Sequence, residues 1–218
     1  VKAFQPDLIL TVAHGELFPV ALTVSRRLDL PLYSIYHDWW PDIARTTTVG
    51  GRILNGRFLK LARDSKRNLC VSEGMIRELG SGPRNLLLYP VPSFMGSSGG
   101  TDPGGDSNSP RRLVYTGTLK ATYGRMVLEL YKLLKSDNSL EMVIAGDEPE
   151  WTPEERQRVG GGFIGLVQAD VYDKLVRSGT LLLVVMSFEP AEARRARTSF
   201  PSKLVQYCQS GNHVLIWG

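Results

Sequence analysis

The sequence predicts an α/β protein made of two doubly wound domains. Three observations carry this: short, wholly apolar runs recur along the chain, amphipathic segments of helical period separate them, and one Gly/Ser/Pro/Asp stretch divides the series in two. Apolar strands alternating with such helices mark parallel sheets covered on both faces. At 218 residues, 42% hydrophobic and 22% charged, the chain has length enough for one large core or two small ones.

In the first half, LILTV (8–12), LYSIY (32–36), LCV (69–71) and LLLYPV (86–91) read as strands. Helical patterns fall between them at about 16–28, 51–66 and 73–79. MGSSGGTDPGGDSNSPRR (95–112) offers almost nothing to bury and reads as a flexible linker. The expected organisation is therefore a partial first domain over 1–95, a linker over 96–111 and a second domain over 112–218. Beyond the linker, RLVYTG (112–117), EMVIAG (141–146), GFIGLV (162–167), LLLVVM (181–186) and HVLIWG (213–218) supply strands. Helices are expected there at about 123–135, 153–158, 168–178 and 202–210.

A net charge of +4 and a pI near 9.1 favour anionic partners without choosing among them. Cys70 and Cys208 fall in segments expected to be buried in opposite halves, which points to reduced thiols and a cytoplasmic setting. No apolar run approaches the roughly 20 residues that span a bilayer. The basic segment GRILNGRFLKLARDSKR (51–67) carries six cations around an apolar set. A solvated surface helix explains it, and so does peripheral contact with an anionic membrane face through 52–67.

In doubly wound sheets ligands bind outside the carboxyl ends of the strands. Those ends carry His14 and Gly15; His37, Asp38 and Trp39; Ser72 and Glu73; Gly117, Thr118 and Lys120; Gly146, Asp147 and Glu148; and Ser187, Phe188 and Glu189. Turn and capping demands explain any one of them; their shared rim points to a site. GGGFIG (160–165) matches a dinucleotide fingerprint in letters but leads into a strand instead of a helix, which excludes that role. No P-loop, nucleophile elbow, zinc spacing or Asp-x-Asp pair is present. In TSFPSKLVQYCQSG (198–211), Pro201 suits the first helical position, so that the free amides of Ser202, Lys203 and Leu204 point towards the rim.

PDLILTVAHGELFPVALTVSRRLDLPLYSIYHDWWPDI, LCVSEGMIRELG, RRLVYTGTLKATYG, EMVIAGDEPEW, FIGLVQADVYDKLV and TSFPSKLVQYCQSGNHVLIWG resemble, in order and spacing, the body of a retaining family 4 glycosyltransferase of GT-B architecture. The resemblance implies two Rossmann-like domains facing each other across a cleft. It implies transfer of a sugar from a nucleoside diphosphate donor, held by the second domain, to a glycan, lipid-linked or small-molecule acceptor. It implies that no metal, further cofactor or nucleic acid takes part. His37 matches the histidine that faces the transferred sugar, and His14 lies one strand earlier on the same rim. The donor falls to Gly117, Thr118, Lys120, Gly146, Phe163, Ser187, Ser202, Lys203 and Gln206.

Departures from the family pattern are specific. Thr118 and Tyr123 stand where an arginine and a lysine usually hold the diphosphate, and Thr198 and Gln206 stand where two glutamates usually flank the donor. Lys120, Arg125 and Lys203 are the cations left to replace them. The chain also resembles a sequence truncated at both ends. Two alternatives therefore stand beside the transferase: a non-catalytic sugar-nucleotide-binding scaffold, and a nucleotide-sugar epimerase of the same architecture.

Overall fold

A computed structural model describes residues 4–15, 17–44, 48–91, 111–136 and 139–218. The chain divides into two units, Val1–Pro90 with Pro190–Phe200, and Val91–Glu189 with Pro201–Gly218. The expected linker lies outside the described residues over 96–110, and Arg111 opens a strand.

The first unit holds β1 (Ile9–Val12), α1 (Phe18–Leu28), β2 (Leu32–Tyr36), α2 (Trp40–Ile43), α3 (Thr48–Asp64), β3 (Arg67–Cys70), α4 (Glu73–Leu79) and β4 (Asn85–Leu87). Each helix has local reasons to start or stop where it does. Pro19 sits in the first turn of α1, Asp29 closes that helix in the left-handed region (φ 52°), and Ser72 caps α4 by accepting the Met75 amide at 3.0 Å. All pairings are parallel, in the order β1-β2-β3-β4.

Sequential order has a consequence for the layers. Right-handed crossovers between strands added in one direction place every helix on the same side, and α1, α3 and α4 do share one core, where Phe18, Phe58, Leu61 and Met75 meet Leu32, Tyr36 and Cys70. Burial pushes the Cys70 thiol up to about 12. The opposite face carries Leu10, Val12, Leu86 and Leu88, each about half exposed. Among the described residues this sheet is therefore covered on one face, where the sequence predicts two. Apolar runs that read as doubly buried strands are here apolar on a face left open.

The second unit contains β5 (Arg111–Gly117), α5 (Ala121–Leu134), β6 (Leu140–Gly146), α6 (Pro153–Val159), β7 (Phe163–Gly165), α7 (Ala169–Ser178) and β8 (Leu181–Val185). After Glu189 the chain returns to the first unit over Pro190–Phe200, which holds the short helix α8 (Ala193–Thr198). α9 (Ser202–Cys208) and β9 (His213–Trp217) then complete the second unit.

Its parallel order β7-β6-β5-β8-β9 reverses direction at β5. Reversal puts helices on both sides, and two cores result. Leu113, Tyr115, Ile144 and Leu183 pack with Met126, Val127 and Leu130 of α5 on one face; Val114, Val143, Leu182 and Val184 pack with Val176 and Tyr207 on the other. This unit is doubly wound as predicted. Tyr207 faces inward from α9, so Cys208, one position on, turns out to solvent instead of lying buried.

Candidate functional site

The first unit builds a polar rim at the carboxyl ends of β1 and β2. The chain leaves β1 in a tight turn: Ala13 still donates its amide to Ile35 in the sheet, while Gly15 takes φ 67°, which L side chains rarely adopt. This turn presents the His14 ring to solvent between two neighbours, stacked on His37 at 5.0 Å and tilted against Trp40 at 3.9 Å. Burial, then the neighbouring His37, hold the His14 imidazole below its usual value, with Asp38 opposing them. The neutral ring is thereby favoured at neutral pH.

Asp38 is the residue around which this rim is ordered. One carboxylate oxygen accepts the Ser199 hydroxyl at 2.6 Å; the other faces His37 Nε2 at 3.6 Å. Ser199 follows α8, and α8 is pinned to the first unit along its length. Arg194 makes a forked ion pair with Asp42 at 2.6 and 2.8 Å and lies over the Trp39 ring at 4.9 Å. Arg197 reaches Glu78 at 3.3 Å, and Ser72 Oγ donates to the Thr198 carbonyl at 2.6 Å. Gly74 lets the two segments approach, since a Cβ there would lie 1.7 Å from the Arg197 carbonyl oxygen. Thr198 itself is fully buried inside this contact.

Among the described residues, His14, His37 and Asp38 also place potential ligand atoms within 4.8 Å of one another. Imidazole nitrogens and a carboxylate oxygen are groups able to hold a divalent cation. As it stands, the group is an edge of hydrogen-bonding nitrogens backed by one anchored carboxylate.

The second unit forms its own rim at the point where strand order reverses, between the ends of β5 and β8. Gly117 and Gly146 pair across β5 and β6, and a Cβ on Gly146 would lie 2.1 Å from the Gly117 carbonyl oxygen. The loop after β5 is held from below. The Tyr115 hydroxyl donates to the Thr118 carbonyl at 2.6 Å, and Asp147 accepts both the Thr118 hydroxyl, at 3.0 Å, and the Leu119 amide. Thr118 is thus tied to a carboxylate. Lys120 caps α5 and is exposed, whereas Arg125 is paired with Glu155 at 3.2 Å and is not a free cation.

A second group forms where α7 meets α9. Lys203 Nζ lies 4.7 Å from the Tyr172 ring centroid, and the Tyr172 hydroxyl donates to Gln206 Oε1 at 2.8 Å. Burial holds the Lys203 ammonium below its usual value. Pro201 is the N-cap of α9 and not its first helical residue, so the helix begins at Ser202, which is exposed. Beneath it the buried Tyr207 hydroxyl bonds Thr116 Oγ1 at 2.7 Å and accepts the Thr116 amide at 3.2 Å, locking α9 to β5. Ser187 turns its hydroxyl back to accept the Glu189 amide at 3.1 Å. Phe163, expected at the donor, packs instead against Trp151 and Arg156 in the α5-side core.

Asp38 and Asp147 were among the strand-end residues of the expected rim but were given no role of their own. Ser199 and Tyr172 carry no signal in the sequence, because only the folded chain brings them to their partners.

No family model matches the sequence, and no curated protein matches it either. Solved structures do. The lipopolysaccharide outer core galactosyltransferase WaaB in its apo form superposes with a TM-score of 0.63 at 14% identity, over 97% of this chain and 56% of that one. TarM superposes with a TM-score of 0.62 at 10% identity, over 95% of this chain and 40% of that one. MurG of Acinetobacter baumannii superposes with a TM-score of 0.51 at 10% identity, over 96% of this chain and 60% of that one. The chain therefore spans about half the length of these proteins, and at such identities the likeness concerns fold: an α/β architecture with parallel sheets, shared with GT-B glycosyltransferases.

Proposed function

We propose that this chain is the body of a glycosyltransferase that moves a sugar from a nucleoside diphosphate sugar to a sugar-bearing acceptor, with retention at the anomeric carbon. The observation that carries the reading is the Lys203, Tyr172 and Gln206 group, in a unit whose strand order reverses next to it. A partly desolvated ammonium is a strong partner for a diphosphate, because water competes less for it. Ser202 adds a hydroxyl, and Gln206 and Tyr172 add groups suited to ribose hydroxyls. Gly117 ends β5 on the same rim, and Gly146 lies buried beside it, where its missing side chain makes room for the Gly117 carbonyl. Lys120 and Ser187 border the same rim.

In the first unit, His37 is the residue assigned to the transferred sugar. It would donate to a hydroxyl or to the oxygen on which negative charge develops, with Asp38 facing its ring at 3.6 Å. His14, favoured neutral, accepts from the sugar beside it. An interaction that strengthens as charge develops lowers the barrier selectively.

The non-catalytic reading draws on a different observation. Asp147 places a carboxylate at the loop where the family's diphosphate cations are missing, and it occupies the Thr118 hydroxyl. Calorimetric titration with uridine and guanosine diphosphates, followed by donor hydrolysis and transfer assays, separates the two. Diphosphate binding with turnover supports the transferase; binding without turnover supports the scaffold; no binding of either nucleotide sinks both.

A further inference from the structure

β1 and β2 bring two histidines to the same point of the first unit's rim. Val12 pairs with Ile35 across these strands, and His14 and His37 each lie two residues further on, so parallel pairing sets them side by side. The third member follows His37 directly, as Asp38. Among the described residues this is the one group of histidine, cysteine and carboxylate side chains whose ligand atoms all lie within 4.8 Å of one another.

The group is held more firmly than three polar neighbours on a surface. Gly15, at φ 67°, turns the chain away after His14, and Trp40 packs against the His14 ring at 3.9 Å. Ser199 occupies one oxygen of Asp38 at 2.6 Å and leaves the other facing His37 Nε2 at 3.6 Å. A carboxylate fixed through one oxygen by an outer hydroxyl is how proteins orient such a ligand towards a metal. Neighbouring ligand atoms of a tetrahedral ion with bonds of about 2.1 Å stand roughly 3.4 Å apart. The His37 and Asp38 pair is already near that spacing, and rotation of the exposed His14 side chain covers the remaining approach.

We propose that His14, His37 and Asp38 bind a zinc ion, with a fourth position open to water or to a ligand oxygen. Two imidazoles and a carboxylate are a donor set that suits zinc, which imposes no geometry of its own. Magnesium and calcium take oxygen ligands and would leave both rings unused. A zinc ion there would take up the His37 ring that the sugar-transfer reading gives to the substrate, so on that reading the ion inhibits. Zinc binding itself does not rest on that reading, because it requires neither donor nor acceptor.

The test is calorimetric titration of the untagged full chain with zinc chloride, paired with visible absorption on addition of cobalt(II) as a spectroscopic substitute. One ion per chain and the intense bands of four-coordinate cobalt are expected. His14→Ala and Asp38→Asn should each weaken zinc binding by about 100-fold, and Ser199→Ala, which frees Asp38 to swing, by about 10-fold. Cys208→Ser combined with His213→Gln removes the exposed thiol and the remaining histidine, both in the second unit, and should bind zinc as wild type does. Zinc should raise the melting temperature of wild type but not of His14→Ala, whose melting curve without zinc establishes that it folds. Absence of binding by both zinc and cobalt overturns the proposal. So does undiminished binding by His14→Ala or by Asp38→Asn, and so does loss of binding in the second-unit variant. Zinc bound at this group with sugar transfer undisturbed would support the site and take His37 out of the transfer step.

Discussion

Ser199 donates its hydroxyl to Asp38 at 2.6 Å, joining residues 161 positions apart. The bond fixes which carboxylate oxygen faces His37. Ser199 thus acts on the rim through Asp38, as a positioning residue. Removing a hydrogen bond to a carboxylate costs about 1.5 to 3 kcal/mol, part of it recovered here by water at a half-open site. Ser199→Ala should lower the melting temperature and reduce turnover by about 10-fold with donor affinity unchanged, and Ser199→Thr should restore both. Restored stability without restored turnover would show a purely structural role.

His37→Ala tests the role of the ring itself. A well-placed donor to developing charge contributes roughly 10²-fold or more to turnover. The expected pattern is a loss of that size in kcat with nucleotide affinity retained. If affinity collapses while turnover per bound donor persists, His37 belongs to donor binding and not to the transfer step.

Most element boundaries were legible from the sequence because each strand is a compact apolar run and most helices carry a period of 3.6 residues. The helices of 4 and 6 residues, α2 and α8, were not: WPDI and ARRART are too short to show a period. Coverage of the first sheet was misread for a related reason. Leu10 and Val12 are apolar whether or not a second layer sits above them, and strand order, which decides that, is a long-range property. The same holds for the rims. His37 and Lys203 are visible as types at strand and helix ends, but Tyr172 under Lys203 and Ser199 beside Asp38 follow only from packing.

Tyr207→Phe should be among the more costly substitutions that remove a single atom. The hydroxyl is buried and meets both the amide and the side chain of Thr116. Without it, a buried donor in the middle of the second unit loses its partner, at about 1 to 3 kcal/mol. Thermal unfolding measures this directly. A melting temperature equal to wild type would mean that α9 is not anchored through this bond.

Gly124→Ala probes the loop after β5 from the helix side. A Cβ there would sit 2.0 Å from the Leu119 carbonyl oxygen, which is backbone and cannot rotate away. α5 must then shift against the loop that Asp147 holds, at about 1 to 3 kcal/mol. Alanine ordinarily strengthens a helix interior relative to glycine; a rise in melting temperature would therefore show that the close approach is absent.

Lys203 connects stability to binding in one side chain. Burial holds its ammonium below the ordinary 10.5, so the folded chain releases that proton at lower pH than the unfolded chain does. Between those two pH values the unfolded state binds more protons, and stability rises with pH. Below them the ammonium is charged in both states, and the folded state bears the desolvation cost in full. Lys203→Met keeps the packing on Tyr172 without the charge. It should be more stable than wild type at neutral pH, and it should lose the part of the alkaline rise that Lys203 produces. The same variant should bind nucleoside diphosphate about 10- to 150-fold more weakly, since a charge-assisted hydrogen bond is gone, while binding the bare nucleoside unchanged. A diphosphate seated on Lys203 also stabilises its charged form, so wild-type binding near the lowered pKa should take up protons, seen as a buffer-dependent heat that the variant lacks. Equal losses for nucleoside and diphosphate would remove Lys203 from the proposed phosphate site, and a variant less stable at neutral pH would show that its buried charge does not cost stability.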